Sequence, residues 1–432
     1  MNENISKQMT FPSSPFRERG GQAIILAGGL GTRLRSVVSD VPKCMAPVAG
    51  RPFLFYVINY LRLQGIEKFI FSLGYKHEII IDYLNDQFST LNFQCSVEEE
   101  PLGTGGAIHL ACQHATEKNV IIVNGDTLFK INIEEISSFH QQQKADCTLA
   151  LKSMRHFDRY GVVEINQAGT ITDFKEKQFY DNGLINGGVY VLNVENFLAK
   201  NFPTKFSFEK DYLEKYYLQG NINAIVQDSY FIDIGIPEDY SRVQEELKQA
   251  PLNLRDVDQG WTLFLDRDGV LNHDKVGSYI FNPGEFVFYD GVPPVFKLFK
   301  ERFGRIVIAT NQRGVGRNLM SVADLDAIHQ KMLTIIEAEG GKIDAIFYAT
   351  SLDNNDIIRK PNPGMALQAR ARFPEIDFSK SIMVGNNISD MEFGRNTGMY
   401  CIFLKTTIPH IELPHPAIDM SFNSLTDFAK AL

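Results

Sequence analysis

The sequence predicts an α/β protein built from two Rossmann-like domains, and three observations carry that expectation. Short apolar runs without polar alternation, each ending in glycine or polar residues, recur along the chain. Helix-like stretches separate them, as right-handed β-α-β units require. The pattern breaks at residues 251–260 and then starts again, and 432 residues suit two ordinary cores better than one.

The run 23–27, Ala-Ile-Ile-Leu-Ala, reads as a buried parallel strand opening onto a glycine loop. Residues 53–63 read as a helix closed by Gly65, a natural C-cap. A strand at 68–72, a helix at 79–88 and a buried strand at 120–123 continue the alternation. A charged helix begins near Glu238 and is interrupted by Pro251, Asn253, Asp256 and Asp258. Domains are therefore expected at 21–250 and 261–432, with 251–260 as a linker and 1–20 as a flexible arm. Beyond the break, the runs 261–265, 305–309 and 381–384 are strands whose polar ends mark where open α/β sheets place their ligands.

Composition excludes several classes. A net charge of −9 argues against sequence-independent nucleic-acid binding through a basic face, so no nucleic-acid partner is expected. No apolar run is long enough to span a bilayer, and the polar first twenty residues lack a signal-peptide core. Five scattered cysteines, without paired spacing, read as reduced thiols. A soluble cytoplasmic protein is expected, not a membrane one, with oligomerisation left open.

In the front half, Leu26-Ala-Gly-Gly-Leu-Gly-Thr-Arg-Leu34 follows a strand, and Lys43 comes later. Glycines let backbone N–H groups approach a polyphosphate, and Arg33 and Lys43 add positive charge. Alone this is weak, since it fits neither a P-loop nor G-x-G-x-x-G. Five further segments strengthen it. Residues 99–107 form a second small-residue loop, narrow enough for a flat base. Asn124-Gly-Asp126 ends a buried strand, where a magnesium carboxylate commonly sits. Phe174-Lys-Glu-Lys177 and Ile185-Asn-Gly-Gly188 offer polar groups for a sugar phosphate, and Asp233-Ile-Gly235 supplies a second carboxylate. Each alone has an ordinary reading as a turn, a strand end or a solvated charge.

In this order and spacing, residues 22–250 resemble the sugar-phosphate nucleotidyltransferases. The resemblance implies a GT-A-like mixed sheet. It implies that Gly28, Gly29, Gly31, Thr32 and Arg33 grip a nucleoside triphosphate while Lys43 reaches phosphate, Arg33 and Lys43 serving catalysis. Gly103, Thr104, Gly105 and Gly106 would line the base site. Asp126 and Asp233 would hold Mg2+, and Glu176, Lys177, Asn186 and Gly187 would face the sugar phosphate. The chemistry is in-line displacement at the α-phosphorus, which needs alignment and charge neutralisation rather than a base.

In the back half, Asp-Arg-Asp-Gly-Val at 266–270 puts two carboxylates two residues apart after a buried strand. Asp266 can attack phosphorus, while Asp268 can protonate a leaving alcohol and later activate water. Thr310-Asn-Gln312, Arg359-Lys360-Pro361 and Gly385-Asn-Asn-Ile-Ser-Asp390 follow in order. Over about residues 261–430 these resemble the four motifs of the haloacid-dehalogenase (HAD) superfamily. That implies a HAD-like parallel sheet, Thr310, Asn311, Arg359 and Lys360 as phosphate ligands, and Mg2+ held by Asp266, Asp268, Asn386 and Asp390. The motif wording points to the branch containing D-glycero-D-manno-heptose 1,7-bisphosphate phosphatase, with histidinol phosphate phosphatase a neighbour. Two departures stand out. Residues 347–358 contain neither Cys nor His, so no structural zinc is expected. Asn386 stands where the family presents aspartate, and its amide brings no charge to a metal.

Fusion suggests consecutive steps. Dephosphorylation of a heptose 1,7-bisphosphate yields the 1-phosphate that a nucleotidyltransferase accepts, and family logic favours GTP as the other substrate. The alternative is a transferase for another sugar 1-phosphate, mannose or similar, beside a degenerate, scaffolding or ligand-sensing HAD domain.

Overall fold

The computed structural model describes residues 21–29, 34, 38, 40–219, 221–275 and 277–432. These fall into two compact units whose division along the chain lies between Gln249 and Ala250.

The front unit is built on a seven-stranded mixed sheet. Its strand order is Ile222–Val226, Cys147–Phe157, Tyr180–Asn193, Asn119–Asn124, Gly21–Leu26, Ile66–Leu73, Asn92–Val97. The long strand Tyr180–Asn193 runs antiparallel to both neighbours. Gly21–Leu26 pairs in parallel with Ile66–Leu73 on one side and Asn119–Asn124 on the other. Its run is apolar throughout because both faces are covered. Ala23 and Ile25 pack with the helices Phe53–Leu63 and His77–Gln87, and Ile24 packs with the helix Gly103–Cys112. The chain leaves this strand in one direction and returns on its other side, so the ends of Gly21–Leu26 and Asn119–Asn124 flank a topological switch point, where such sheets bind ligands.

The back unit has a six-stranded, fully parallel sheet in the order Ala345–Ala349, Arg305–Asn311, Thr262–Leu265, Ser381–Gly385, Tyr400–Leu404, Met420–Phe422. Leu263, Leu265, Ile306, Ile308, Ile382 and Val384 face one core with the helices Val292–Arg302, Val322–Ala338 and Leu425–Ala431. Phe264 turns to the opposite face, toward Phe378 and Phe393. The switch point lies between Thr262–Leu265 and Ser381–Gly385, at Asp266.

Residues 251–260, expected as a linker, instead pack into the back unit. Leu252, Leu254 and Val257 are buried in its core, and a short 3-10 turn, Leu254–Asp256, carries the chain through. The polar residues that suggested a break are the exposed half of this segment. No helix among the described residues is long and apolar enough to cross a membrane.

Candidate active sites

At the front switch point, Gly125 N–H donates to the Leu26 carbonyl at 2.9 Å and holds the Asn124–Asp126 corner against the first strand. The two-stranded pairing of Thr127–Phe129 with Phe231–Asp233 sets Asp233 opposite Thr127, one residue from Asp126. Lys43 enters on the 3-10 turn Lys43–Met45, and its Nζ lies 2.5 Å from Asp126 Oδ2 and 3.1 Å from Asp233 Oδ1. Burial works against its charge, yet the two carboxylates raise its pKa above the ordinary lysine value. Gly235 leaves room for this: a Cβ there would sit 2.9 Å from Asp233 Oδ1 and 3.0 Å from the ammonium.

Gly28 and Gly29 lie just beyond the first strand, and Gly31, Thr32 and Arg33 lie outside the described residues. A Cβ on Gly28 would sit 2.8 Å from Glu98 Oε1, whereas Gly29 faces open space. Residues 103–106, expected as a loop, are the first turn of the helix Gly103–Cys112. Their glycines serve packing, because Cβ atoms on Gly105 and Gly106 would strike the Phe206 ring at 2.3 Å and the Thr204 carbonyl at 2.5 Å. Thr104 is engaged too, donating to Glu209 at 2.7 Å and accepting from Phe208 N at 2.9 Å.

Asn186 and Gly187 sit where the long strand shifts register. Asn186 is fixed by Tyr190 OH at 2.9 Å and by Gly188 N–H at 3.1 Å, and Gly187 lies against the Phe129 ring. Glu176 and Lys177 are exposed on the turn after the strand Ile171–Lys175, and among the described residues no hydrogen bond or ion pair ties them to Asp126 or Asp233. Sequence reasoning missed two neighbours. Tyr160 OH donates to Asp233 Oδ2 at 3.4 Å. Glu98, read as part of a solvated acidic run, accepts Leu102 N–H at 3.0 Å and faces Gly28. A carboxylate shortly before a helix start was the available signal.

In the back unit, Lys360 is almost fully buried, with Nζ 3.0 Å from Asp266 Oδ1 and 2.7 Å from Asp390 Oδ1. Burial pushes Asp266 up to about 6, against the pull of Lys360 and with the help of Asp390 and Asp268. Asp268 behaves oppositely. Burial opposes its charge, but the Arg267 guanidinium and hydrogen bonds from Arg267, Asn272 and Gln312 hold it below the usual carboxylate range. Thr310 is buried and accepts from Gln312 Nε2 at 3.0 Å. Asn311 exchanges two hydrogen bonds with the Lys360 backbone. Arg359 donates to Asn354 at 3.2 Å and to the Ser351 carbonyl at 3.4 Å. Asn386 gives its amide N–H to Thr407 Oγ1 at 2.6 Å and lies over Gly269, where any Cβ would collide with it.

Arg267 was missed by sequence reading. It is fully buried between two site aspartates and also meets Gln312 and His329. The clue was a cation set between two aspartates directly after a buried strand, where a buried charge needs partners, and Arg267 finds one in Asp268 at 2.8 Å.

In each unit two carboxylates converge on one lysine nitrogen, a set of hard anionic oxygens that suits a small dication. Among the described residues no group of three or more His, Cys, Asp or Glu gathers. Substrate phosphate and water would complete such a shell, as magnesium sites commonly allow.

Comparison with known proteins agrees with this architecture. Residues 22–250 match the nucleotidyl transferase family, and residues 263–409 match the polynucleotide kinase 3 phosphatase family, which is HAD-like. D-glycero-α-D-manno-heptose 1-phosphate guanylyltransferase of Aneurinibacillus thermoaerophilus is 51% identical over 227 residues, covering 52% of this chain and 98% of that protein. The protein of the same name from Campylobacter jejuni is 43% identical over 219 residues, covering 51% and 96%. Among solved structures, HddC from Yersinia pseudotuberculosis complexed with GMP-PN shows 38% identity and a TM-score of 0.49, covering 53% of this chain and all of that one. The chain belongs to the nucleotidyl transferase family and carries, behind that domain, a phosphatase domain of the polynucleotide kinase 3 phosphatase type.

Proposed function

We propose that this chain is a cytoplasmic bifunctional enzyme of nucleotide-activated heptose synthesis. The back domain dephosphorylates D-glycero-D-manno-heptose 1,7-bisphosphate to the 1-phosphate, and the front domain transfers GMP from GTP to that product. The observation that carries this reading is the Lys43, Asp126 and Asp233 cluster at the switch point of a domain that aligns with nearly the full length of two heptose 1-phosphate guanylyltransferases.

In the front site the sugar-phosphate oxygen attacks the α-phosphorus, the bond to the bridging oxygen breaks, and pyrophosphate leaves. Lys43 lies where it can offset the gathered negative charge, and Asn186 and Gly187 line the approach of the sugar phosphate. In the back site Asp266 attacks the phosphorus and forms an aspartyl-phosphate, while the alcohol departs with a proton from Asp268; water then releases inorganic phosphate. Arg267 keeps Asp268 anionic in the free protein, and an arriving phosphate, by its negative charge, raises the Asp268 pKa toward the acid form. Asp126 and Asp233 in front, and Asp266, Asp268, Asn386 and Asp390 behind, would hold magnesium, which would supply charge neutralisation in both reactions.

The test offers heptose 1,7-bisphosphate with each of the four common nucleoside triphosphates and magnesium, following phosphate and pyrophosphate separately. Phosphate release followed by GTP-dependent pyrophosphate release is expected. Pyrophosphate from mannose 1-phosphate, with no phosphate from any sugar phosphate, would favour a transferase beside a scaffolding domain.

A further inference from the structure

Asn386 follows the strand Ser381–Gly385 directly, at the same end of the sheet where Asp266 follows Thr262–Leu265. The two strands pair with Leu265 beside Val384, and the Asp266 N–H donates to the Val384 carbonyl at 3.0 Å. On the other side of Ser381–Gly385 runs Tyr400–Leu404, with Phe403 beside Gly385. The chain leaves that strand through Lys405, Thr406 and Thr407, and two hydrogen bonds fasten the exit. The Lys405 N–H donates to the Phe422 carbonyl at 2.9 Å, and Thr406 Oγ1 donates to the Gly269 carbonyl at 2.5 Å. Thr407 is thereby brought to Asn386, whose amide nitrogen donates to Thr407 Oγ1 at 2.6 Å. Gly269 leaves room for the pair, since a Cβ there would lie 2.0 Å from that nitrogen and 2.9 Å from Thr407 Oγ1.

Asn386 is buried, and Asp390 Oδ2 accepts its backbone N–H at 3.2 Å. The backbone donor and the amide nitrogen each have a partner, while among the described residues no hydrogen bond reaches the amide oxygen. The two ends of a carboxamide are unlike. Its oxygen can ligate a hard cation, whereas its nitrogen only donates hydrogen bonds. Beside Asp266 and Asp390, an untethered amide is drawn to turn its N–H groups toward carboxylate and so to compete with a cation. A neutral acceptor on the nitrogen prevents this and leaves the oxygen available. An aspartate at 386 needs no such guide, because its two oxygens are equivalent.

We propose that Thr407 is a positioning residue that makes Asn386 an oxygen ligand for a divalent cation, by keeping the nitrogen end of its amide occupied. This rests on the reading of the back domain as a magnesium-dependent phosphatase and deepens it. The uncharged residue in the fourth motif and the threonine beyond the next strand act as one unit, and the pair stands in for a single carboxylate.

The experiment measures direct binding of Mn2+ to the full chain, following the paramagnetic resonance signal of the free ion. Mn2+ shares the oxygen-rich octahedral preference of Mg2+. Every protein compared keeps the same front domain, and Asp266→Asn identifies the share of the curve that belongs to the back site. Thr407→Val is expected to weaken that binding by about 10-fold, with recovery in Thr407→Ser, because partners that orient a ligand commonly matter on this scale. In a chain that already carries Asn386→Asp, Thr407→Val should cost less than about 3-fold. Unchanged or tighter binding in Thr407→Val overturns the proposal. Equal losses on the two backgrounds mark Thr407 as a merely structural residue and overturn it as well, as does an Asp266→Asn curve identical to that of the parent. Phosphate release from heptose 1,7-bisphosphate is followed in the same preparations with magnesium. Binding that depends on Thr407 in a parent that releases no phosphate refutes the phosphatase reading and leaves the pairing of Thr407 with Asn386 standing.

Discussion

Asp390 forms an ion pair with the Lys360 ammonium at 2.7 Å through one oxygen and accepts the backbone N–H groups of Asn386 and Asn387, at 3.2 and 3.0 Å, on the other. One side chain therefore caps the helix Ile388–Thr397 and balances a buried lysine. Asp390→Asn leaves Lys360 with Asp266 as its remaining carboxylate and removes an acidic group expected near the metal. With Lys360 no longer held from both sides and an acidic group gone from the site, phosphate release should fall by about 100-fold or more while pyrophosphate release continues. Parallel assay of both products in one preparation checks this, and near-normal phosphate release would remove Asp390 from the site. Asn386→Asp, by contrast, adds charge beside Asp390 and should lower the magnesium needed for half-maximal phosphate release. An unchanged or raised requirement would place residue 386 away from the metal.

In the front domain, Lys43 bridges two carboxylates that approach each other from distant parts of the chain. Asp126→Asn and Asp233→Asn should each slow nucleotidyl transfer by about 100-fold or more, since displacement between two anions depends on the metal these carboxylates are proposed to hold. Lys43→Met should slow transfer as well, yet leave the affinity for magnesium intact or raised, because a competing cation is gone. Magnesium titrations of pyrophosphate release for the three variants decide the matter. Full turnover in both aspartate variants would withdraw the metal assignment.

Much of the scaffold was legible because strands buried on both faces are apolar along their length, as 23–26, 120–123 and 382–384 are. Part of the back site was equally legible, since Asp266 and Asn386 follow strand ends directly and Thr310 stands one residue from the end of another strand, whereas Lys360 arrives from a loop well beyond Ala345–Ala349. The front site was less so. Only the local antiparallel pairing of Phe231–Asp233 with Thr127–Phe129 joins Asp233 to Asp126, and no spacing along the chain shows that pairing. Residues 103–106 looked like a loop because glycine disfavours helix, whereas close packing of Phe206 decides the matter. Arg267 was passed over because its meaning depends on His329 and Gln312, which come from remote segments. Glu176 and Lys177 stay exposed, so their role depends on a ligand rather than on the fold.

His140 gives the front domain a pH-dependent stability unrelated to catalysis. It is buried on the helix Ile133–Gln143, 2.9 Å from Thr148 Oγ1, and burial pulls its pKa to about 4 in spite of Asp146. The unfolded chain takes up a proton near pH 6.5, which the folded chain declines until about pH 4. Stability is therefore complete above the unfolded value and falls as pH drops through that window, by up to about 3 kcal/mol. His140→Gln should remove this slope while every other titrating group contributes equally to both proteins. Urea midpoints of the full chain and the variant at pH 7.5 and 5 supply the measurement, and identical pH dependence would refute the claim.

The packing of 250–260 fixes where the two domains can be parted. Leu252, Leu254 and Val257 sit in the back core, Arg302 donates to the Leu254 carbonyl at 3.2 Å, and Gln259 donates to the carbonyls of Lys300 and Glu301 at 3.1 and 2.7 Å. Gly304 is pressed so close to Gln259 that a Cβ would lie 2.2 Å from its carbonyl oxygen. A back piece that starts at Trp261 loses all of these contacts and leaves a cavity lined by apolar side chains. Each buried leucine is worth about 2–5 kcal/mol, which approaches the whole stability of an ordinary domain. Pieces 1–249 and 250–432 should therefore be soluble and keep pyrophosphate and phosphate release respectively. The piece 261–432 should aggregate, or melt many degrees lower than 250–432. Matched thermal melts and activity assays of the three pieces test this, and equal midpoints for the two back pieces would return 250–260 to the status of a linker.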